Sequence, residues 1–165
     1  MNILVTGASG FVGRRLVERL LATKPQDNVA VFLLPTEAPP EPFVGQQVTV
    51  TVYLASRRPV SSVQNPEYPQ LDAFWAEELD SPTRLDPQMA VVDGLEYQVS
   101  LLRRRALFPL ESGDVTLPPV RMKMSMGGSF FGPGRQVERS SPPVTLHVRP
   151  LPPGAPPGFA AGNVG

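Results

Sequence analysis

From residue 48 onward the apolar residues of this chain recur at every second position, a period that argues against a helical fold for most of its length. Val48, Val50, Val52 and Leu54 alternate with Thr49, Thr51 and Tyr53. Successive side chains of a strand point to opposite faces, so this pattern predicts a strand with one buried face. The same rhythm returns in Val120, Met122, Met124 and Met126, and again in Val144, Leu146 and Val148. Between MAVV and LEYQVSLL stands Asp93-Gly94, a pair that tolerates the positive φ angles of a two-residue hairpin. In the second of these strands Tyr97, Val99 and Leu101 share a face. The 21 prolines and 14 glycines make up about a fifth of the chain, against a usual share of roughly 12%. Short strands joined by turns follow from that excess. The predicted fold is mainly β, an immunoglobulin-like antiparallel sandwich.

The first residues read differently. NILVT is a short apolar strand, and FVGRRLVERLLATK places Val12, Leu16, Val17, Leu20 and Leu21 on one stripe of a helix. Arg14, Arg15, Glu18 and Arg19 take the other face. Lys24-Pro25 stops the helix, and NVAVFLL at 28–34 is a second strand. The expected organisation is a Rossmann-like β-α-β fragment over 1–34 and a Pro-rich connector over 35–42. An immunoglobulin-like sandwich follows over 43–150, with a Pro/Gly-rich linker over 151–165.

Charge and rare residues narrow the chemistry. Fifteen Lys and Arg balance fifteen Asp and Glu, so no strong field draws in nucleic acid or an anionic membrane. The absence of cysteine removes disulfides and thiolate metal sites, and leaves the redox compartment open. A single histidine, His147, leaves little for a histidine metal site. No stretch approaches the roughly 18 apolar residues of a membrane span. The N-terminus has no basic region ahead of its apolar strand, so as written the product is expected to stay in the cytoplasm.

Thr6-Gly7-Ala8-Ser9-Gly10-Phe11-Val12-Gly13 is a TGxxGxxG turn between strand and helix. Gly7 allows the tight turn, Gly10 the approach of a pyrophosphate, and Gly13 close helix–strand packing. Over its first 25 to 35 residues the chain resembles the extended short-chain dehydrogenases/reductases. That resemblance implies an NAD(P)-binding fold and a Tyr-x-x-x-Lys catalytic pair. The remainder of that pattern is missing. No acidic ribose anchor closes the second strand, where Val31-Phe32-Leu33-Leu34 stand. Four positions after Tyr53, Tyr68 and Tyr97 come Arg57, Asp72 and Leu101 instead of lysine. Gly7, Gly10 and Gly13 are therefore the only cofactor-binding candidates, and no catalytic or metal residue is assigned.

The longer part carries a second resemblance. EPFVGQQVTVTVYL, FWAEEL, VVDGLEYQVSLLRRRALFPLESGDVTLPP, FFGPGRQVERSSPPVTLHVRPLP and PPGFAAGNVG occur in this order. Together, over about 41–165, they resemble the BatD-like oxygen-tolerance (aerotolerance) proteins of bacterial envelopes. The resemblance implies tandem immunoglobulin-like domains on the periplasmic side, often with a membrane anchor. It also implies partners among other Bat-type proteins with von Willebrand-type and tetratricopeptide domains, and no enzymatic activity. This chain departs from that pattern where the β-α-β piece replaces an upstream signal and β domain, and where it ends before a further domain and anchor. The function expected is a non-enzymatic β domain acting by protein–protein contacts, without a cofactor. The alternatives are an NAD(P)-binding epimerase-like fragment and a non-functional fusion of two gene fragments.

Individual residues have structural readings. Gly45 supplies a turn before the first sandwich strand. Phe74-Trp75 reads as a core or inter-sheet plug. Phe108-Pro109 and Ser112-Gly113-Asp114 read as strand, turn and strand. Met122, Met124 and Met126 lie on one strand face and read as core filling in preference to a Cu(I) site. His147 falls on an outward phase and reads as solvated. Glu77, Glu78 and Asp80 read as a solvated loop in preference to an acid–base pair. Arg103, Arg104 and Arg105 alternate in direction, so they make no single patch and read as protection of an edge strand. Gly127-Gly128 and Gly132-Pro133-Gly134 read as turn residues.

Overall fold

The computed structural model describes residues 4–5, 16, 18–22, 29–128, 132 and 134–154. Over these the chain is mainly β, in antiparallel sheets. The strands are β1 (Leu4–Val5), β2 (Val29–Glu37), β3 (Val48–Ser56), β4 (Val60–Glu67), β5 (Phe74–Asp80) and β6 (Gln88–Val92). They continue with β7 (Leu95–Pro109), β8 (Gly113–Leu117), β9 (Arg121–Met126), β10 (Arg135–Ser140) and β11 (Val144–Val148).

The 15-residue strand β7 organises the largest sheet. One of its edges carries β3, and the other carries β6 and then β5. β2 joins the far side of β3, and β1 the far side of β6. A three-stranded sheet runs β10-β9-β4, and β8 pairs with β11. One cluster of buried side chains unites all three sheets. Val31, Val50 and Leu107 of the large sheet meet Leu117, Met124, Val137 and Leu146 of the smaller ones. On one flank Arg139 of β10 closes the gap by donating from Nε to the Val29 carbonyl, 3.2 Å away.

The alternation of β3 predicts one buried face, and the structure buries all nine of its residues. Val48, Val50, Val52 and Leu54 enter the inter-sheet core. Tyr53 and Ala55 face the other way, against Phe32, Leu34, Leu16 and Leu20. The threonines of that second face stay dry because their hydroxyls are satisfied. Thr36 Oγ1 lies 2.9 Å from Thr51 Oγ1 and 3.4 Å from the Thr49 carbonyl.

The N-terminal piece departs from the β-α-β expectation for 1–34. Its two strands are not neighbours: β6, β7 and β3 stand between β1 and β2. Each pairs antiparallel with its partner, Leu4 opposite Val91 and Val29 opposite Ser56. A Rossmann-like unit lays its strands side by side in parallel; here the edge of β2 is taken by β3. The amphipathic stripe holds where it is described. Leu16 and Leu20 are buried against the sheet, whereas Glu18 and Arg19 of the helical residues 18–22 are exposed.

β2 also runs past residue 34, so Pro35, Thr36 and Glu37 are strand and not connector. The register shifts between Pro35 and Glu37, as expected where proline interrupts the ladder of an outermost strand. Val44 and Arg149 then tie residues 42–44 to the end of β11, and Gly45 donates to the Pro109 carbonyl at 2.8 Å. Gly45 has φ 77°, a backbone that suits glycine at this turn. The Asp93-Gly94 turn forms as predicted, with φ of 53° and 73°, joining β6 to β7.

Candidate functional site

Among the described residues β5 pairs only with β7, with Phe74 opposite Pro109, Trp75 opposite Phe108, Ala76 opposite Leu107, Glu77 opposite Ala106 and Glu78 opposite Arg105. Alternation then sorts its side chains. Phe74 is buried in the inter-sheet core, while Trp75 turns outward and is 57% exposed. Of the predicted Phe74-Trp75 plug, only Phe74 is core. The Trp75 ring instead packs on its cross-strand neighbour Phe108, with centroids 5.1 Å apart and planes tilted by 37°. Leu110 donates its N–H to the Ala73 carbonyl at 3.0 Å, which extends the pairing by one step. Leu110, at 59% exposure, and the bulged Leu79, at 50%, widen the apolar surface.

The acids expected in a loop are strand residues. Glu77 and Asp80 are exposed. Glu78 projects with Phe74 and Ala76 and takes a forked hydrogen bond from Arg103: Nε lies 3.1 and 2.9 Å from the two carboxylate oxygens, and Nη2 lies 2.6 Å from Oε2. Arg105 Nε lies 3.8 Å from the same carboxylate. Arg103 and Arg105 thus share one face, and Arg104, in register with Asp80, takes the other. The separation of the three arginines follows the alternation. Their role as edge protection does not hold, because β7 is paired along both edges.

The Arg103 guanidinium also sits 4.3 Å from the centre of the Tyr68 ring. Its hydrogen bonds to Glu78 hold Arg103 in its charged form more firmly than a free arginine. Burial pushes the Tyr68 phenol above its ordinary value of 10.0. The Arg103 charge opposes that rise and Glu78 adds to it. The unfolded chain therefore loses this proton first as pH climbs through 10.0, and stability contributed by Tyr68 declines above that pH. Tyrosinate absorbance of the chain minus that of Tyr68→Phe should titrate above 10.0; a midpoint at or below it would remove the burial argument.

A groove of about 630 Å³ opens between β4, residues 82–87 and the sheet. Ser56, Ser62, Thr83, Gln98 and Ser100 line it over Leu54 and Leu102, offering hydroxyl and amide groups above an apolar floor.

The remaining sequence candidates fall elsewhere. Gly7, Gly10 and Gly13 lie outside the described residues. Met122, Met124 and Met126 are buried in the inter-sheet core. Among the described residues no group of three or more His, Cys, Asp and Glu side chains is placed to hold a metal. His147 is on the outward phase, as expected, but it is partnered: Nδ1 lies 2.5 Å from Asp114 Oδ1, its cross-strand neighbour. Sequence reasoning missed this pair, as it missed Arg103–Glu78. The residues of each stand 33 and 25 positions apart, and nothing local links them before the strand register is known.

No family model, curated protein or solved structure matches this chain.

Proposed function

We propose that the chain is a non-enzymatic, immunoglobulin-like β domain that acts by protein–protein contact, in the manner of the BatD-like envelope proteins it resembles. The observation that carries this reading is Trp75, 57% exposed and packed on the half-buried Phe108, on a strand with only one neighbour among the described residues. Tryptophan is the commonest anchor of protein interfaces, and an apolar patch rimmed by charge is characteristic of a contact surface. The FWAEEL segment that carries the resemblance is β5 itself. Antiparallel sheets packed around one shared apolar core support a β domain of this kind. The periplasmic side of the envelope and Bat-type partners come with the resemblance.

The test is binding of the purified full chain to a Bat-type protein with a von Willebrand-type domain. Trp75→Ala should weaken that binding roughly thirtyfold, the effect of a hot-spot residue worth about 2 kcal/mol. Its fold should stay intact, since the side chain is more than half exposed. Absence of binding, or binding indifferent to Trp75, would sink the proposal. The second reading is an NAD(P)-binding fragment. In its favour Leu16 and Leu20 pack on the sheet as a dinucleotide-binding helix does. Calorimetry with millimolar NADH and NADPH separates the two readings: heat of binding that Gly10→Trp removes favours the second.

A further inference from the structure

The outer edge of β5 has no strand beside it among the described residues. The hydrogen bond from Leu110 N–H to the Ala73 carbonyl marks Ala73 as a residue that bonds toward β7. In an antiparallel ladder this role alternates, so Trp75 and Glu77 also bond inward. Ala76 and Glu78 then turn their backbone N–H and C=O groups outward. The N–H of Phe74 points the same way and is met by the Leu71 carbonyl at 2.9 Å, which closes the edge on that side. A row of backbone donors and acceptors therefore stands open beside an exposed tryptophan.

The charge of this edge is one-sided. Residues 72–80 hold Asp72, Glu77, Glu78 and Asp80 and no basic residue. Arg103 uses Glu78, and Arg104 stands opposite Asp80. Glu77 and Asp72 have no ion-pair partner among the described residues. A second copy pairing edge to edge would set these carboxylates against each other, which is unfavourable in a cross-strand arrangement. We infer that the free edge of β5 adds an extended, basic segment of a protein partner as a further strand. An apolar side chain of that segment packs on Trp75 and Phe108, and lysine or arginine faces Glu77 and Asp80. This rests on the protein-contact reading above and names the chemistry of the partner.

Trp75 is the chain's only tryptophan, so its fluorescence reads this edge directly. The probes are a capped octapeptide, Thr-Val-Thr-Lys-Thr-Lys-Thr-Thr, whose alternation puts the valine and both lysines on one face, and the same peptide with glutamate for lysine. Titrated into the full chain, the lysine peptide should shift Trp75 emission to shorter wavelength, increasingly so at low salt; the glutamate peptide should not. The double variant Glu77→Lys, Asp80→Lys changes only exposed side chains. It should weaken the lysine peptide roughly tenfold or more and reverse the preference. Ala76→Pro removes an outward N–H at an edge, where proline is tolerated, and should abolish the response in a chain that still melts cooperatively.

No response to the lysine peptide, or equal response to both peptides, overturns the inference. So does a shift that depends on protein concentration alone, which would assign the edge to a second copy. If a Bat-type partner still binds through Trp75 while the peptides fail, only strand addition is lost. If both fail, the protein-contact reading falls as well.

Discussion

Replacing Leu107 by alanine lowers the unfolding free energy by roughly 2–5 kcal/mol, the range for a buried leucine whose cavity collapses only in part. Leu107 is fully buried at the point where β7 has β3 on one edge and β5 on the other. Its side chain belongs to the cluster that joins the three sheets, so the cavity opens between layers with little freedom to close. Urea denaturation followed by circular dichroism reads the effect as a lower midpoint with an unchanged slope. Leu110→Ala, three residues away and 59% exposed, is the control, and should stay within about 0.5 kcal/mol of the parent. Equal losses from the two variants would contradict the burial of β7.

Gly134→Ala destabilises by about 1–3 kcal/mol, because a side chain is forced into a packed place. A Cβ at Gly134 would stand 1.8 Å from the Gly127 carbonyl oxygen, and backbone atoms cannot swing away as a side chain can. The obstruction falls one residue before Arg135 pairs with Met126, so the closing step of the β9–β10 hairpin must open to admit it. Gly132→Ala, with nothing within 4 Å of the added carbon, should be neutral in the same assay. Thermal melts of the two variants compare them directly. A neutral Gly134→Ala would show that the hairpin is looser than its register implies.

Gly132 and Gly134 read alike in the sequence, as two glycines flanking a proline in a turn. Their difference comes from which backbone lies across the hairpin. The same division runs through the molecule. Alternation in β9 correctly places Met122, Met124 and Met126 on one buried face, because side-chain direction is set by the covalent geometry of an extended chain. Asp93-Gly94 specifies its turn because its positive φ angles are a local steric matter. The stripe through Leu16 and Leu20 finds its face for the same reason.

What local chemistry leaves open is which face gains a second layer and which strand becomes a neighbour. Trp75 reads as core and is a surface residue, since the strand phase that buries Phe74 must turn Trp75 away. β3 reads as half-buried and is wholly buried, because Leu16 and Leu20 pack with Tyr53 and Ala55 on its second face, where Thr36 of β2 meets the Thr51 hydroxyl. The alternating strands such as β9, the Asp93-Gly94 turn and the stripe of Leu16 and Leu20 are legible in the sequence alone, because they depend on atoms a few bonds apart. The strand pairing set the rest: β1 and β2 stand apart, Arg103 meets Glu78 over Tyr68, and β5 has no second neighbour among the described residues. Those outcomes depend on pairing between distant segments, where the edge claimed by one strand is closed to every other.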